Sequence, residues 1–201
     1  MSTADVGTAA APELRILTVC TGNICRSPAA ERLLRHRFGA GSGIEVTSAG
    51  VGALVGAPID EPVVRLLTDR GVDTTDFAAR ALTERIASSS DIVLTATREH
   101  RAAVVEVAPA LVRRSFTLLE LARLVGQVDE ADLVARAGDD ATPAARLKAL
   151  AALAARHRVQ VPRELDDVAD PYRGSPEEYR VAIDAVAEAV DTIADRVLGR
   201  A

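Results

Sequence analysis

The sequence predicts an α/β protein: a doubly wound, four-stranded parallel sheet flanked by helices, with an extra Ala-rich helical insertion. Three observations lead there. Short β-rich runs alternate with amphipathic helical runs, the order that yields parallel strands joined by right-handed crossovers. Hydrophobic residues make up 48% of the chain and charged residues 26%, the balance of a globular protein. A length of 201 residues suits one domain with an embellishment.

The elements follow in order. LRILTV (14–19) is a β-rich run. In PAAERLLRHRF (28–38), Leu33, Leu34 and Phe38 fall at helical spacing, and Pro28 suits a first helical turn. IEVTSA (44–49) is a second strand, DEPVVRLLTDRG (60–71) a helix with a glycine stop, and TERIASS (83–89) a short helix. DIVLTAT (91–97) is a third strand, REHRAAVVEVAP (98–109) a helix ended by proline, and RSFTLLE (114–120) a fourth strand. Residues 175–199 form a long amphipathic helix, with Ser175 as cap, Glu178 three residues on, and Ile183, Val186, Val190, Ile193 and Val197 along one face. Residues 124–166 break the alternation and read as one or two extra helices, serving either as a structural insertion or as a regulatory or partner surface. Residues 1–12 read as a disordered tail, so the single domain runs from 13 to 201.

Composition narrows the function. A net charge of −5 argues against a nucleic-acid binder, which needs a basic face. No apolar run approaches the ~18 residues of a membrane span, and MSTADVGTAAAP lacks the regions of a secretory signal. The two cysteines lie five positions apart, which is no disulfide framework and fits a cytoplasmic setting.

The chemistry concentrates in VCTGNICRSP (19–28). A strand–turn–helix with Gly22 in the turn aims backbone N–H groups and the positive end of a helix at one point, a cradle for a tetrahedral oxyanion. Arg26 can grip two of its oxygens. Cys20 opens the cradle, in a setting that favours a thiolate nucleophile. Ser27 can donate to its sulfur, and Asn23 can hold the loop. A nucleotide-binding loop would need a Gly-Lys-Ser/Thr ending, and a zinc site about four Cys/His ligands. The histidines, His36, His100 and His157, are scattered over predicted helices. For a leaving oxygen of pKa ~10, a general acid is needed. Asp170, in VADPY, precedes Pro171 and adjoins Tyr172, which can wall the pocket; a plain Asp-Pro turn is the competing explanation.

VCTGNICRSP with a late DPY resembles the low-molecular-weight protein tyrosine phosphatases. The resemblance covers most of residues 14–120 and 168–198. It implies Cys20 as nucleophile, Arg26 as phosphate-binding arginine and Asp170 as general acid. It places Thr21, Gly22, Asn23, Ile24, Cys25 and Ser27 around the substrate phosphate, with Tyr172 as pocket wall, Ser27 stabilising the thiolate, and Ser48 paired with Asn23 to shape the loop. A phosphocysteine intermediate follows, with no metal and no cofactor. Leu54 stands near the place where many members carry an aromatic, and the GALVG stretch resembles the bacterial subgroup tied to polysaccharide-export tyrosine kinases. The implied partner is a phosphotyrosine protein, with such a kinase as one choice; neither nucleic acid nor membrane insertion is expected. Cys25 has two readings, a small residue packed under the loop or a thiol that protects Cys20 during oxidation. Two other functions share the motif. A thioredoxin-coupled arsenate reductase lacks its relay here, since no cysteine follows Cys25. A silent phosphotyrosine-binding module would need Asp170 misplaced or the pocket blocked.

Overall fold

The computed structural model describes residues 11–200; nearly all of the tail assigned to 1–12 lies outside them. Four parallel strands, β1 (Leu14–Cys20), β2 (Ile44–Gly50), β3 (Ile92–Thr95) and β4 (Ser115–Thr117), form one sheet in the order β2-β1-β3-β4. The helices are α1 (Arg26–Phe38), α2 (Glu61–Thr68), α3 (Glu84–Ser88), α4 (Arg98–Val107), α5 (Leu118–Val125), α6 (Glu130–Ala137), α7 (Pro143–Ala154) and α8 (Pro176–Leu198).

Alternation along the strands divides the core. On β1, Leu14 and Ile16 face one side while Leu17 and Val19 face the other, as a period of two requires. The first side packs against α1, α2, α5, α7 and α8, with Leu34, Val63, Leu121, Leu150 and Ile183 buried together. The second packs against α3 and α4 through Ala87, Val104 and Ala108. Helices therefore cover both faces, and the central strands β1 (LRILTVC) and β3 (IVLT) are mostly apolar. The chain reverses its winding at β1, which is bordered by β2 and β3. The carboxyl end of β1 is thus the switch point where ligands bind in such sheets.

One boundary differs from expectation. The strand predicted over 114–120 stops at Thr117, and α5 starts at Leu118. The Thr117 hydroxyl accepts from the Glu120 N–H at 3.1 Å, and the Glu120 carboxylate accepts from the Thr117 N–H at 3.2 Å. This reciprocal cap satisfies two otherwise orphaned donors and starts the helix. Leu118, Leu121, Leu124 and Val125 then bury one helical face. At α8 the same device, Ser175 with Glu178, stands where the sequence places it.

The segment that broke the alternation holds α6, α7 and short 3-10 turns at Ala155–His157 and Arg163–Leu165. Leu133, Leu147 and Leu150 are buried in the same cluster as Ile16 and Leu34, so α6 and α7 extend that layer. Leu150→Ala is expected to cost about 2–5 kcal/mol and to lower the midpoint of a single unfolding transition in urea. A separate early transition would show instead that α6 and α7 form a unit of their own.

Candidate active site

Strand β1 ends at Cys20 and α1 begins at Arg26, so Thr21–Cys25 form the turn between them. The first turn of α1 carries no acidic residue, and its positive end is not offset locally. The turn is braced by the loop that follows β2. Val51 N–H donates to Cys20 O at 3.0 Å, Gly52 N–H to Thr21 O at 3.0 Å and Leu54 N–H to Gly22 O at 3.0 Å. The contact is close enough to require glycine at position 50, where a Cβ would lie 2.4 Å from Thr21 O.

Asn23 holds the turn from within. It is fully buried, with φ of 55°, in the left-handed region that asparagine tolerates better than most residues. Its Oδ1 accepts the Arg80 N–H at 2.9 Å, which orients the amide so that Nδ2 donates to Ser27 Oγ at 3.0 Å and Ser48 Oγ at 2.8 Å. Ser48 Oγ then donates to the buried Glu31 carboxylate at 2.6 Å. Ser27 Oγ, having accepted from Asn23, has its proton available for Cys20 Sγ, 3.0 Å away. Arg80 Nε also donates to Ser48 O at 2.7 Å. Glu31 and Arg80 were not singled out in the sequence. Arg80 lies 57 residues from Asn23, and nothing local marks it.

Arg26 is buried at 4% exposure. It donates to Val168 O at 3.1 Å and pairs with Asp170 at 2.7 Å, while its Nε has no partner. Residues 142 and 144 positions downstream are thereby brought to the turn. Asp170 is half exposed, and one of its oxygens accepts the Tyr172 N–H at 3.2 Å. Tyr172 is 41% exposed and Leu54 45%. Arg173, at φ 63°, lies with its guanidinium 5.1 Å from the Tyr172 ring centre. Asp60 links the two loops: its N–H donates to Ile24 O at 2.9 Å, and its carboxylate accepts from the Tyr179 hydroxyl. That hydroxyl in turn accepts the Arg173 N–H at 3.2 Å.

Cys25 is buried, and burial together with the Asp60 carboxylate pushes its thiol far above the ordinary range, which holds it as S–H. Its sulfur lies 3.7 Å from Asp60 Oδ2. Cys20 and Cys25 are both free. Among the described residues, no group of three or more His, Cys, Asp or Glu side chains is placed to hold a metal ion.

One histidine does meet the turn. His100, on α4, is buried, with Nε2 2.9 Å from the Thr21 hydroxyl and Nδ1 2.8 Å from the Thr97 hydroxyl. Burial, then the Arg26 charge, lowers its pKa to about 4, opposed by Asp170, Glu99 and Asp167. The ring is therefore neutral at pH 7, donating through one nitrogen and accepting at the other.

Two expectations follow. Asn23→Ala leaves the Arg80 N–H without its acceptor and places alanine in a left-handed backbone, so stability should fall by about 2–4 kcal/mol, read by denaturant unfolding. For His100, the folded pKa lies below the unfolded value of ~6.5. Its contribution is complete above that value and is lost as pH falls towards about 4, by roughly 3 kcal/mol at most. His100→Asn should therefore lose less stability than the natural protein between pH 6.5 and 4.5, measured by thermal unfolding.

Comparison with known proteins agrees with the geometry. The family described as low molecular weight phosphotyrosine protein phosphatase matches residues 15–135. The low molecular weight protein-tyrosine-phosphatase Etp of Escherichia coli K12 is 46% identical over 104 residues, 52% of this chain and 67% of Etp. The structure of Vibrio vulnificus Wzb in complex with benzylphosphonate superposes with a TM-score of 0.64 at 25% identity, covering 90% of this chain and 97% of that one. The YwlE arginine phosphatase from Geobacillus stearothermophilus gives 0.65 at 27% identity, covering 93% and 94%. With the family match spanning more than half of its residues, the chain belongs to the low molecular weight phosphotyrosine protein phosphatases and is a phosphatase enzyme.

Proposed function

We propose that this chain hydrolyses phosphotyrosine monoesters through Cys20, with Arg26 binding the phosphate and Asp170 acting as general acid and then general base. The observation that carries this reading is the convergence of Arg26 on both sides of the chemistry: its helix opens at the Cys20 turn, and its guanidinium holds Asp170 at 2.7 Å. The buried, unpartnered Arg26 Nε supports the same reading, since a buried donor without an acceptor suits an incoming oxyanion.

In the first step the phosphate oxygens take the Arg26 guanidinium, and the carboxyl of Asp170 turns to the leaving oxygen. Cys20 Sγ attacks phosphorus, the S–P bond forms and the P–O(aryl) bond breaks. Asp170 gives its proton to the departing phenolate. In the second step water attacks the phosphocysteine, Asp170 takes a proton from it, the S–P bond breaks and inorganic phosphate leaves. Thr21, Gly22, Ile24 and Cys25 contribute through their place in the turn, and Ser27 through its bond to the sulfur.

The fold alone does not select the phosphorylated residue, because one structural neighbour is an arginine phosphatase. Leu54 and Tyr172 support an aryl substrate: Leu54 is bonded to the turn through its N–H, Tyr172 adjoins the Asp170 that pairs with Arg26, and both are well exposed, so a ring can pack on their apolar and aromatic surfaces. The resemblance of the GALVG loop to the polysaccharide-export subgroup supports a bacterial tyrosine kinase as the partner and the cytoplasm as the setting. No helix among the described residues is long and apolar enough to cross a membrane.

The test is hydrolysis of aryl phosphates without added metal. The natural protein should turn over para-nitrophenyl phosphate, and Cys20→Ser should be inactive. Asp170→Asn should be slowed about 10²–10⁴-fold on phenyl phosphate, and less on esters of more acidic phenols, which need less protonation. An inactive natural protein that still binds vanadate would make the turn a recognition site. Faster turnover of phosphoarginine than of phosphotyrosine peptides would reassign the substrate.

A further inference from the structure

A groove of about 850 Å³ lies between α7, the end of α6 and the amino ends of β3 and β4. Cys20 stands at the carboxyl end of β1, parallel to those strands. The groove is therefore at the opposite end of the sheet from the phosphatase site, and nothing in the phosphatase reading uses it.

Its charge is unlike the rest of the surface. Most basic side chains elsewhere are paired with carboxylates, as Arg98 and Arg123 are with Asp166 and as Arg146 and Arg196 are with Glu130. Arg113, Arg114, Arg136, Lys148 and Arg156 all line this groove, and none forms an ion pair among the described residues. A sixth cation, Arg158, is taken up by Glu120 and by stacking over Phe116 at 4.0 Å. The one carboxylate in the lining, Asp91, is engaged by the Arg15 N–H at 2.8 Å. A chain with a net charge of −5 thus gathers five unneutralised cations around one concavity. The arginines before β4 form one wall. Arg136, Lys148 and Arg156 form the other. Between them Ala145, Ala149 and Ala152, at helical spacing on α7, offer a small apolar floor.

A concavity of this volume is the size of a small-molecule site. Cations on two walls call for several negative charges close together, and the alanine floor suits the face of a flat ring. We propose that this groove binds a nucleoside polyphosphate, the phosphates held by Arg113, Arg114, Arg136, Lys148 and Arg156 and the base lying on α7.

Calorimetric titration of the full chain with ATP tests this. Saturable binding is expected in the micromolar range at low salt, weakening as salt is raised. Arg136→Ala combined with Lys148→Ala should weaken it at least tenfold while leaving para-nitrophenyl phosphate turnover within twofold. Hydrogen exchange should slow in α7 and at residues 113–114 when ATP is added. Absence of saturable binding up to millimolar ATP would overturn the site, and so would affinity unchanged in the double variant, which would place the ligand at the phosphate turn. Tripolyphosphate binding as tightly as ATP would overturn the nucleoside part of the assignment.

Discussion

The buried amide of Asn23 is the constraint on which the site depends. An asparagine side chain offers two donors and an acceptor, and here all three are used, on Ser27, Ser48 and the Arg80 backbone. Because the acceptor is committed to Arg80, the direction of every other bond follows. Ser48 must accept from Asn23 and so sends its proton to Glu31. Ser27 accepts from Asn23 and so has its proton to give to Cys20. The network is directed, ending on a buried carboxylate at one side and on the reactive sulfur at the other. A buried polar network specifies one arrangement only when each member is satisfied. This one is, so the left-handed backbone at Asn23 and the shape of the turn hold together.

The second requirement is to bring Asp170 across the sheet, and buried charge does much of that. Asp166, 3% exposed, accepts from Arg98 of α4 and Arg123 of α5. Glu120, 5% exposed, caps α5 and pairs with Arg101 and Arg158. Asp167 accepts the Arg98 N–H at 2.8 Å, and the Val168 N–H donates to Ala96 O at 2.8 Å. The segment leaving α7 is thus stapled to the start of α4, and two residues later the chain reaches Asp170. Arg98 and Arg101 are both committed to these internal pairs. Breaking such a pair leaves an uncompensated buried charge, so the position of Asp170 is tied to the seating of α4 and α5, which lie on opposite faces of the sheet.

Much of this was legible in the sequence. The alternation of runs predicts the four parallel strands, because period-two and period-3.6 patterns are imposed directly by burial on a strand or a helix. Cys20, Arg26, Asn23 and Ser27 are readable because one turn holds them. Asp170 is readable through its Pro-Tyr neighbours and the family resemblance. The fourth strand is misjudged because TLLE carries β-rich and capping signals together, and the reciprocal hydrogen bonds of Thr117 and Glu120 decide for the helix. Arg80, Glu31 and His100 are invisible because their roles depend on tertiary proximity. His100 sits on an amphipathic helix like any other histidine until the sheet brings Thr21 to within 2.9 Å of it.

The Ala-rich character of α7 has a physical reading in the same terms. On its inner faces Ala144, Ala151 and Ala154 are buried with Leu147 and Leu150, and small side chains let this helix settle against the sheet and α5 without a large gap. On its outer face the same small residues, Ala145 and Ala152, fail to fill the space beside Arg113 and Arg114. Leucines there would have closed that space and covered the cations. Alanine at these positions therefore does two things at once: it seats the helix, and it leaves an unneutralised basic concavity at the end of the sheet remote from Cys20.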